Sequence, residues 1–276
     1  MIVQKLYKQN MRDLIYILIL IVCIIVIYFM YNKLIKKNDK QIYDAVYLIN
    51  LKRRPDRLKK FLELYNESDM NDTLLIKFDA IDGSKLNIES VPLSELAKAE
   101  LNQLESTGFR TKHYQLTKGG IGCYLSHVKV WENILKNNYK YALIFEDDAK
   151  VPPNINEIIN EELKYFPNDW DIILLGYICN KCMKFENYNT VERFMLTHCY
   201  LISYECIVKI MNTDTLFPIT QQIDALMSEL SSILNIYSVK EKKVKQFSSR
   251  TDIQAPLYDK NAEEVHDRIK VLEQKL

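Results

Sequence analysis

Glu146, Asp147 and Asp148 follow the apolar run Tyr141-Ala-Leu-Ile-Phe without a break, so three carboxylates stand where a predicted strand ends. Ligands of open α/β sheets bind outside the carboxyl ends of the strands. Alternation along a strand turns Glu146 and Asp148 to one side and Asp147 to the other. Three adjacent anions repel unless something positive neutralises them. A hard divalent cation does so with oxygen ligands, and Mg²⁺ or Mn²⁺ typically combines one or two carboxylates with phosphate oxygens. A solvated acidic turn is the plainer alternative.

A second set of residues suits phosphate. Arg53, Arg54 and Arg57 follow the apolar run Ala45–Leu51 and can present guanidinium groups at the same sheet edge. Gly119-Gly120-Ile121-Gly122 precedes a helical pattern and offers backbone N–H groups to an anion. It is not GxGxxG and follows no predicted strand closely, so no dinucleotide fingerprint is read. His113, His127, His198 and His266 are scattered and form no zinc pattern. His127 reads equally as a packed or a pocket residue, and His198 is a minor candidate for reaching a metal. Cys179-x-x-Cys182 is a single pair without a second pair at zinc spacing. Cys123, Cys199 and Cys206 read as buried thiols.

The elements that must position these groups alternate. Residues 45–51 read as a strand, Arg57–Leu64 as helical, and 74–83 as a strand closed by a glycine turn. Residues 91–105 carry helix formers, and a helix is expected from about Cys123 to Leu135. A strand at 141–145, a polar helix around 154–165 and a strand at 171–176 follow. Strands separated by helical stretches predict α/β layering with a largely parallel sheet.

The whole chain has 276 residues, 48% hydrophobic, with a net charge of +1, so it lacks the global basicity of a general nucleic-acid binder, and no nucleic-acid partner is expected. Six cysteines are too few for a disulfide scaffold in place of a core. Residues 14–31 contain no charge, amide, glycine or proline and would span about 27 Å as a helix, which predicts a single-pass transmembrane anchor. Lys or Arg flank both sides, and the orientation stays open. Residues 1–13 then form an N-terminal flank, 32–41 a linker, 42–255 the catalytic domain and 256–276 a C-terminal amphipathic helix. That helix packs on the domain or, alternatively, forms a short homodimer seam.

In this order, INLKRRPDR at 49–57, FDAIDG at 78–83, KGGIGCYLSHVKVW at 118–131, ALIFEDD at 142–148 and DWDIILLG at 169–176 resemble glycosyltransferase family 25. That family includes lipooligosaccharide glycosyltransferases and procollagen galactosyltransferases. Weaker segments, HCYLIS at 198–203 and SSRTDI at 248–253, extend the likeness. The resemblance implies the Rossmann-like GT-A fold, a UDP-sugar donor, Mn²⁺ or Mg²⁺, and inverting transfer of a hexose, galactose or glucose first, to a glycan, lipooligosaccharide or hydroxylysine-containing protein. It places Glu146, Asp147 and Asp148 in the family's acidic motif, with Asp148 and Glu146 as metal ligands. Asn50, Arg53, Arg54 and Arg57 fall in the first-strand nucleotide motif, and Asp79, Asp82 and Gly83 in the second. Gly120, Gly122, Ser126 and His127 match the stretch that shapes the donor pocket. The family's late Pro-x-Asp segment is matched only with an insertion, as Pro218-Ile-Thr-Gln-Gln-Ile-Asp224.

Displacing UDP leaves charge on a phosphate that a cation stabilises, and inversion needs a general base near the acceptor hydroxyl. Asp224 is the candidate, with Glu229 second. The resulting expectation is a membrane-anchored hexosyltransferase, type II with a lumenal domain or else facing the cytosol. The alternative is a catalytically inactive, membrane-tethered binding module of the same fold. A phosphatase is disfavoured because Glu146-Asp-Asp-Ala-Lys150 departs from DxDxT.

Overall fold

Alternation of strands and helices is what the sequence predicts, and the computed structural model shows it, with residues 16–17, 19–28, 41–112, 114–247 and 251–254 described. The chain divides into two units, Met1–Ile42 and Tyr43–Leu276. In the first, Tyr16, Ile17 and residues 19–28 are helical and exposed. Among the described residues no helix is long and apolar enough to cross a membrane; of the expected span over 14–31, only Tyr16, Ile17 and residues 19–28 are among them. The other residues of that stretch lie outside the described ones, as do His113, His266 and the expected helix and homodimer seam at 256–276.

The second unit runs β1 (Ala45–Asn50), α1 (Pro55–Glu67), β2 (Leu75–Asp79), α2 (Glu95–Thr107), α3 (Lys118–Lys136), β3 (Tyr141–Glu146), β4 (Ala149–Lys150) and α4 (Ile155–Leu163). There follow β5 (Ile172–Lys184), β6 (Tyr188–Ser203), α5 (Tyr204–Met211), α6 (Ile223–Glu229), β7 (Ile236–Val239) and β8 (Lys245–Gln246). One sheet takes the order β2-β1-β3-β6-β5-β7, and β4 pairs with β8. Every residue of β1 is buried, the pattern of a strand covered on both faces. Tyr47, Trp131, Phe145 and Tyr200 lie in this core.

The sheet is mixed rather than largely parallel. β1, β2 and β3 are mutually parallel where they pair, whereas β6 runs antiparallel to both β3 and β5. The reason is local: only residues 185–187 join β5 to β6, and so short a link permits only an antiparallel hairpin. On that hairpin Cys179 and Cys182 form a disulfide.

Caps explain the helix limits. Pro55 opens α1, where its missing N–H costs nothing. Ser94 caps α2, which Gly108 ends in the left-handed region. Thr117 accepts from the Gly120 N–H and starts α3 five residues before the expected Cys123. The glycines therefore lie inside the first turns of α3, not in a phosphate-binding loop before it.

Candidate active site

Three parallel strands deliver three loops to one edge. β1 leads into Arg53, Arg54 and Arg57, β2 into Asp79, Asp82 and Gly83, and β3 into the acidic triplet. β6 crosses beside β3, with Cys199 opposite Phe145, so Thr197 comes near Glu146.

The triplet splits as strand alternation demands. Glu146 Oε1 accepts from Thr197 Oγ1 at 2.6 Å and from His127 Nε2 at 3.3 Å. A carboxylate only accepts, so Nε2 carries a proton; Nδ1 of His127 lies 2.8 Å from the Tyr200 hydroxyl, which accepts from Trp131 Nε1 at 3.1 Å. Burial opposes the Glu146 charge, yet His127 and Thr197 hold its carboxyl below the usual range. Asp147 turns away and is 6% exposed. Its oxygens accept from Asn50 Nδ2 at 2.7 Å and Arg57 Nη1 at 2.9 Å. Burial pushes it up. Asp148 has only longer contacts, to Arg57 Nη1 at 3.5 Å and Gln246 Nε2 at 3.3 Å. Burial and then the Glu146 charge raise its carboxyl to about 7.

Glu146 and Asp148 share a cavity of about 370 Å³ with Asp224, within the range of small-molecule sites. Asp224 Oδ2 accepts from the Leu196 N–H at 3.0 Å and Oδ1 from the Ala225 N–H at 2.8 Å. Burial raises its carboxyl. Asp224 also lines a second cavity of about 630 Å³ beside Arg193, Gln221 and Ser228. It thus stands between two chambers.

The arginines converge as expected, but on a carboxylate. Asp252 accepts from Arg53 and from Arg54 through different oxygens and lies 4.0 Å from Arg57. Arg53 also donates to Asp82 at 2.9 Å, and Arg54 to Asp56.

The profile described as glycosyltransferase family 25 (LPS biosynthesis protein) matches residues 43–250, which contain the sheet, the triplet and Asp224. The chain belongs to glycosyltransferase family 25. It is 33% identical over 144 residues to inactive glycosyltransferase 25 family member 3 of Homo sapiens, covering 51% of this chain and 23% of that protein. It is 30% identical over 146 residues to procollagen galactosyltransferase 2 of Mus musculus, covering 51% and 22%. The chain thus spans under a quarter of the length of these relatives. A solved glycosyltransferase involved in glycosylation of the major capsid of PBCV-1 aligns with a TM-score of 0.42 and 7% identity, over 82% of this chain and 98% of that one.

Within this family 25 chain the expected residues separate by position. Glu146, Asp148, Arg57, Gly120 and Asp224 line the cavity of about 370 Å³; Arg53, Gly83, Ser126 and Asp147 line a small one of about 60 Å³. Asn50 is buried behind the site, holding Asp147. His127 is buried behind Glu146. Asp79 stays at the surface, paired with Lys52 at 3.0 Å and with Lys77. Asp82 braces Arg53 and accepts from Ser84 N. Gly83 and Gly122 serve packing: a Cβ at Gly83 would lie 1.8 Å from the Lys118 carbonyl oxygen, and one at Gly122 2.5 Å from that of Ile81. Glu229 lines the second cavity and accepts from Gln221. His198 does not reach the acids, because its Nε2 donates to the Val244 carbonyl at 3.0 Å.

Sequence reasoning missed Thr197, Gln246 and Asp252 as site residues. Only Asp252 carried a signal, as part of the weak SSRTDI segment.

Two donor sets offer themselves to a cation. Cys123, His127 and Glu146 place one ligand atom each within 4.8 Å of one another. His127 is already engaged at both nitrogens, and burial keeps the Cys123 thiol protonated. Glu146 and Asp148 fit a hard cation better, since both are carboxylates and Asp148 carries repulsion that a cation relieves.

Proposed function

We propose that this family 25 chain transfers a hexose from a UDP-sugar to a hydroxyl acceptor with inversion, on a GT-A type architecture. The observation that supports it most is the sharing of one cavity by Glu146, Asp148 and Asp224 at the edge where three parallel strands end. Glu146 and Asp148 are the residues to hold Mn²⁺ or Mg²⁺, which supplies charge neutralisation for the departing diphosphate. Arg53, Arg54 and Arg57 meet the phosphates.

Asp224 is the base. An acceptor hydroxyl entering from the second cavity attacks the anomeric carbon, its proton passes to Asp224, and the bond to the β-phosphate oxygen breaks to release UDP. A carboxyl raised by burial is a stronger base near neutral pH than a solvated one. Galactose and glucose are the first donors to test, and a glycan, lipooligosaccharide or hydroxylysine-containing protein the acceptor classes.

The uncharged stretch 14–31 supports a further element, a membrane anchor holding the domain on the lumenal side or else facing the cytosol. An inactive binding module is the second reading, supported by the relatives named inactive and by the carboxylate of Asp252 on the arginines. The test is UDP release by the full chain from UDP-galactose and UDP-glucose with Mn²⁺, alongside calorimetry with UDP. Turnover establishes the enzyme; UDP binding without turnover establishes the module; absence of both sinks the donor assignment.

A further inference from the structure

Asp252 occupies the place that the donor reading gives to phosphate. Its two oxygens are read by two different guanidinium groups, Arg53 and Arg54, with Arg57 at 4.0 Å. Two oxygens on one centre, each met by its own arginine, is also how arginines grip a phosphate. Burial opposes the Asp252 charge, but the contacts with Arg53 and Arg54 outweigh that cost and hold its carboxyl below the usual carboxylate range.

The residues around it form a strap, Thr251–Gln254, that walls the cavity containing Glu146 and Asp148. None of the four is buried. The strap is tethered at two further points, by the Thr117 hydroxyl to the Ile253 carbonyl and by Arg110 Nη2 to Gln254 Oε1 at 3.3 Å. Its seat is the first turn of α3. A Cβ on Gly119 would stand 2.3 Å from the Asp252 carbonyl oxygen and 2.8 Å from Ile253 Cα, with every close atom belonging to the strap. A segment with few buried contacts opens at low cost, and here it covers an anion cradle beside a helix N-terminus, which itself favours negative charge.

We propose that Asp252 is a built-in stand-in for the donor diphosphate, which keeps Arg53, Arg54 and Arg57 gathered in the empty enzyme and is displaced when the donor binds. This rests on the reading of the arginines as the phosphate site. The cradle is preformed and discriminates against weak anions, since an incoming ligand must outcompete a tethered carboxylate. Apparent affinity is lowered by the fraction of molecules with the strap seated. A diphosphate succeeds because it presents more charge and more oxygens than one carboxylate.

The experiment uses the full chain, with UDP and inorganic pyrophosphate as separate probes in calorimetry. Asp252→Asn keeps the shape and removes the competing charge; Gly119→Ala unseats the strap without touching a charge. Both should bind pyrophosphate and UDP roughly three- to tenfold more tightly than the wild type. Thermal melting confirms that each variant is folded. Hydrogen exchange adds a readout on the unaltered protein, with the amides of residues 251–254 exchanging faster once pyrophosphate is bound.

Unchanged or weaker binding by Asp252→Asn, or slower exchange of 251–254 with pyrophosphate, overturns the stand-in and makes Asp252 a fixed brace of the arginines. Pyrophosphate binding that behaves as expected, with no preference for UDP, keeps the strap and removes the nucleotide donor. Binding of neither probe by wild type and both variants overturns both.

Discussion

Leu196 donates its backbone N–H to Asp224 Oδ2 at 3.0 Å from a φ of 73°. That region is uncommon for a residue with a side chain and stores strain of order 1–3 kcal/mol. Within β6, beside a stretch where its pairing with β5 is irregular, the turned peptide fixes the carboxylate that separates the two cavities.

Asp224→Asn should therefore retain UDP and Mn²⁺ binding while transfer falls by roughly two to four orders of magnitude, the usual contribution of a general base. The amide keeps the shape and cannot take the acceptor proton. Calorimetry and UDP release measured on the same preparation separate binding from chemistry, and transfer at near wild-type rate removes Asp224 from its role.

Asp148 predicts a pH signature. Its folded-state carboxyl lies at about 7, above the ordinary value of 3.8, so the unfolded chain loses this proton first. Between these values the folded state binds more protons, and stability falls as pH rises. In EDTA, Asp148→Asn should melt progressively higher relative to the wild type from pH 4 to 7, with the difference constant above 8. Mn²⁺ should raise the wild-type melting temperature and leave Asp148→Asn nearly unmoved. A melting difference independent of pH would contradict the assignment.

Asn50→Ala tests a residue that supports the site from behind. Asn50 Nδ2 reaches Asp147 at 2.7 Å and the Arg54 carbonyl at 3.2 Å. Leaving these buried acceptors short of a donor should cost about 1–3 kcal/mol, read as a fall in melting temperature of roughly 2–4 °C per kcal/mol. Donor affinity should drop as well, because Asp147 shares Arg57 with Asp148.

Gly83→Ala should be far more damaging than Gly120→Ala. The new Cβ at 83 meets backbone at 1.8 and 2.4 Å, whereas that at 120 meets the Thr117 hydroxyl at 3.3 Å. Forcing the loop off α3 costs at least about 1–3 kcal/mol and moves Asp82 away from Arg53. Equal melting temperatures for the two variants would refute the packing role.

The acids and arginines were legible because covalent neighbours fixed them: a strand running straight into Glu146–Asp148 needs no tertiary information, and neither does Arg53 after β1. Period two also separated Asp147 from its neighbours correctly. The partners were not legible. Thr197 meets Glu146 because β6 inserts between β3 and β5, an insertion that follows from a hairpin whose two strands do not stand out as one pair in composition, and His127 reaches Glu146 from α3. Asp252 lies 199 residues from Arg53, and nothing in the type or spacing of either announces the contact. Gly120 lines the cavity from the first turn of α3, whereas Gly122 is required by the close approach of the Ile81 carbonyl, a contact that its place in the sequence does not announce.

Cys179 and Cys182 bring a consequence of another kind. Their disulfide sits on the part of β5 where Cys179 is open to solvent, so it exchanges with whatever thiol pool surrounds the hairpin. Cytosolic glutathione keeps such pairs reduced, and secretory or periplasmic compartments let them persist. The bond is in effect a postmark. Differential alkylation of these two sulfurs, in protein quenched directly from its host cell, reads whether the hairpin resides in a reducing or an oxidising compartment, with no fractionation and no acceptor required.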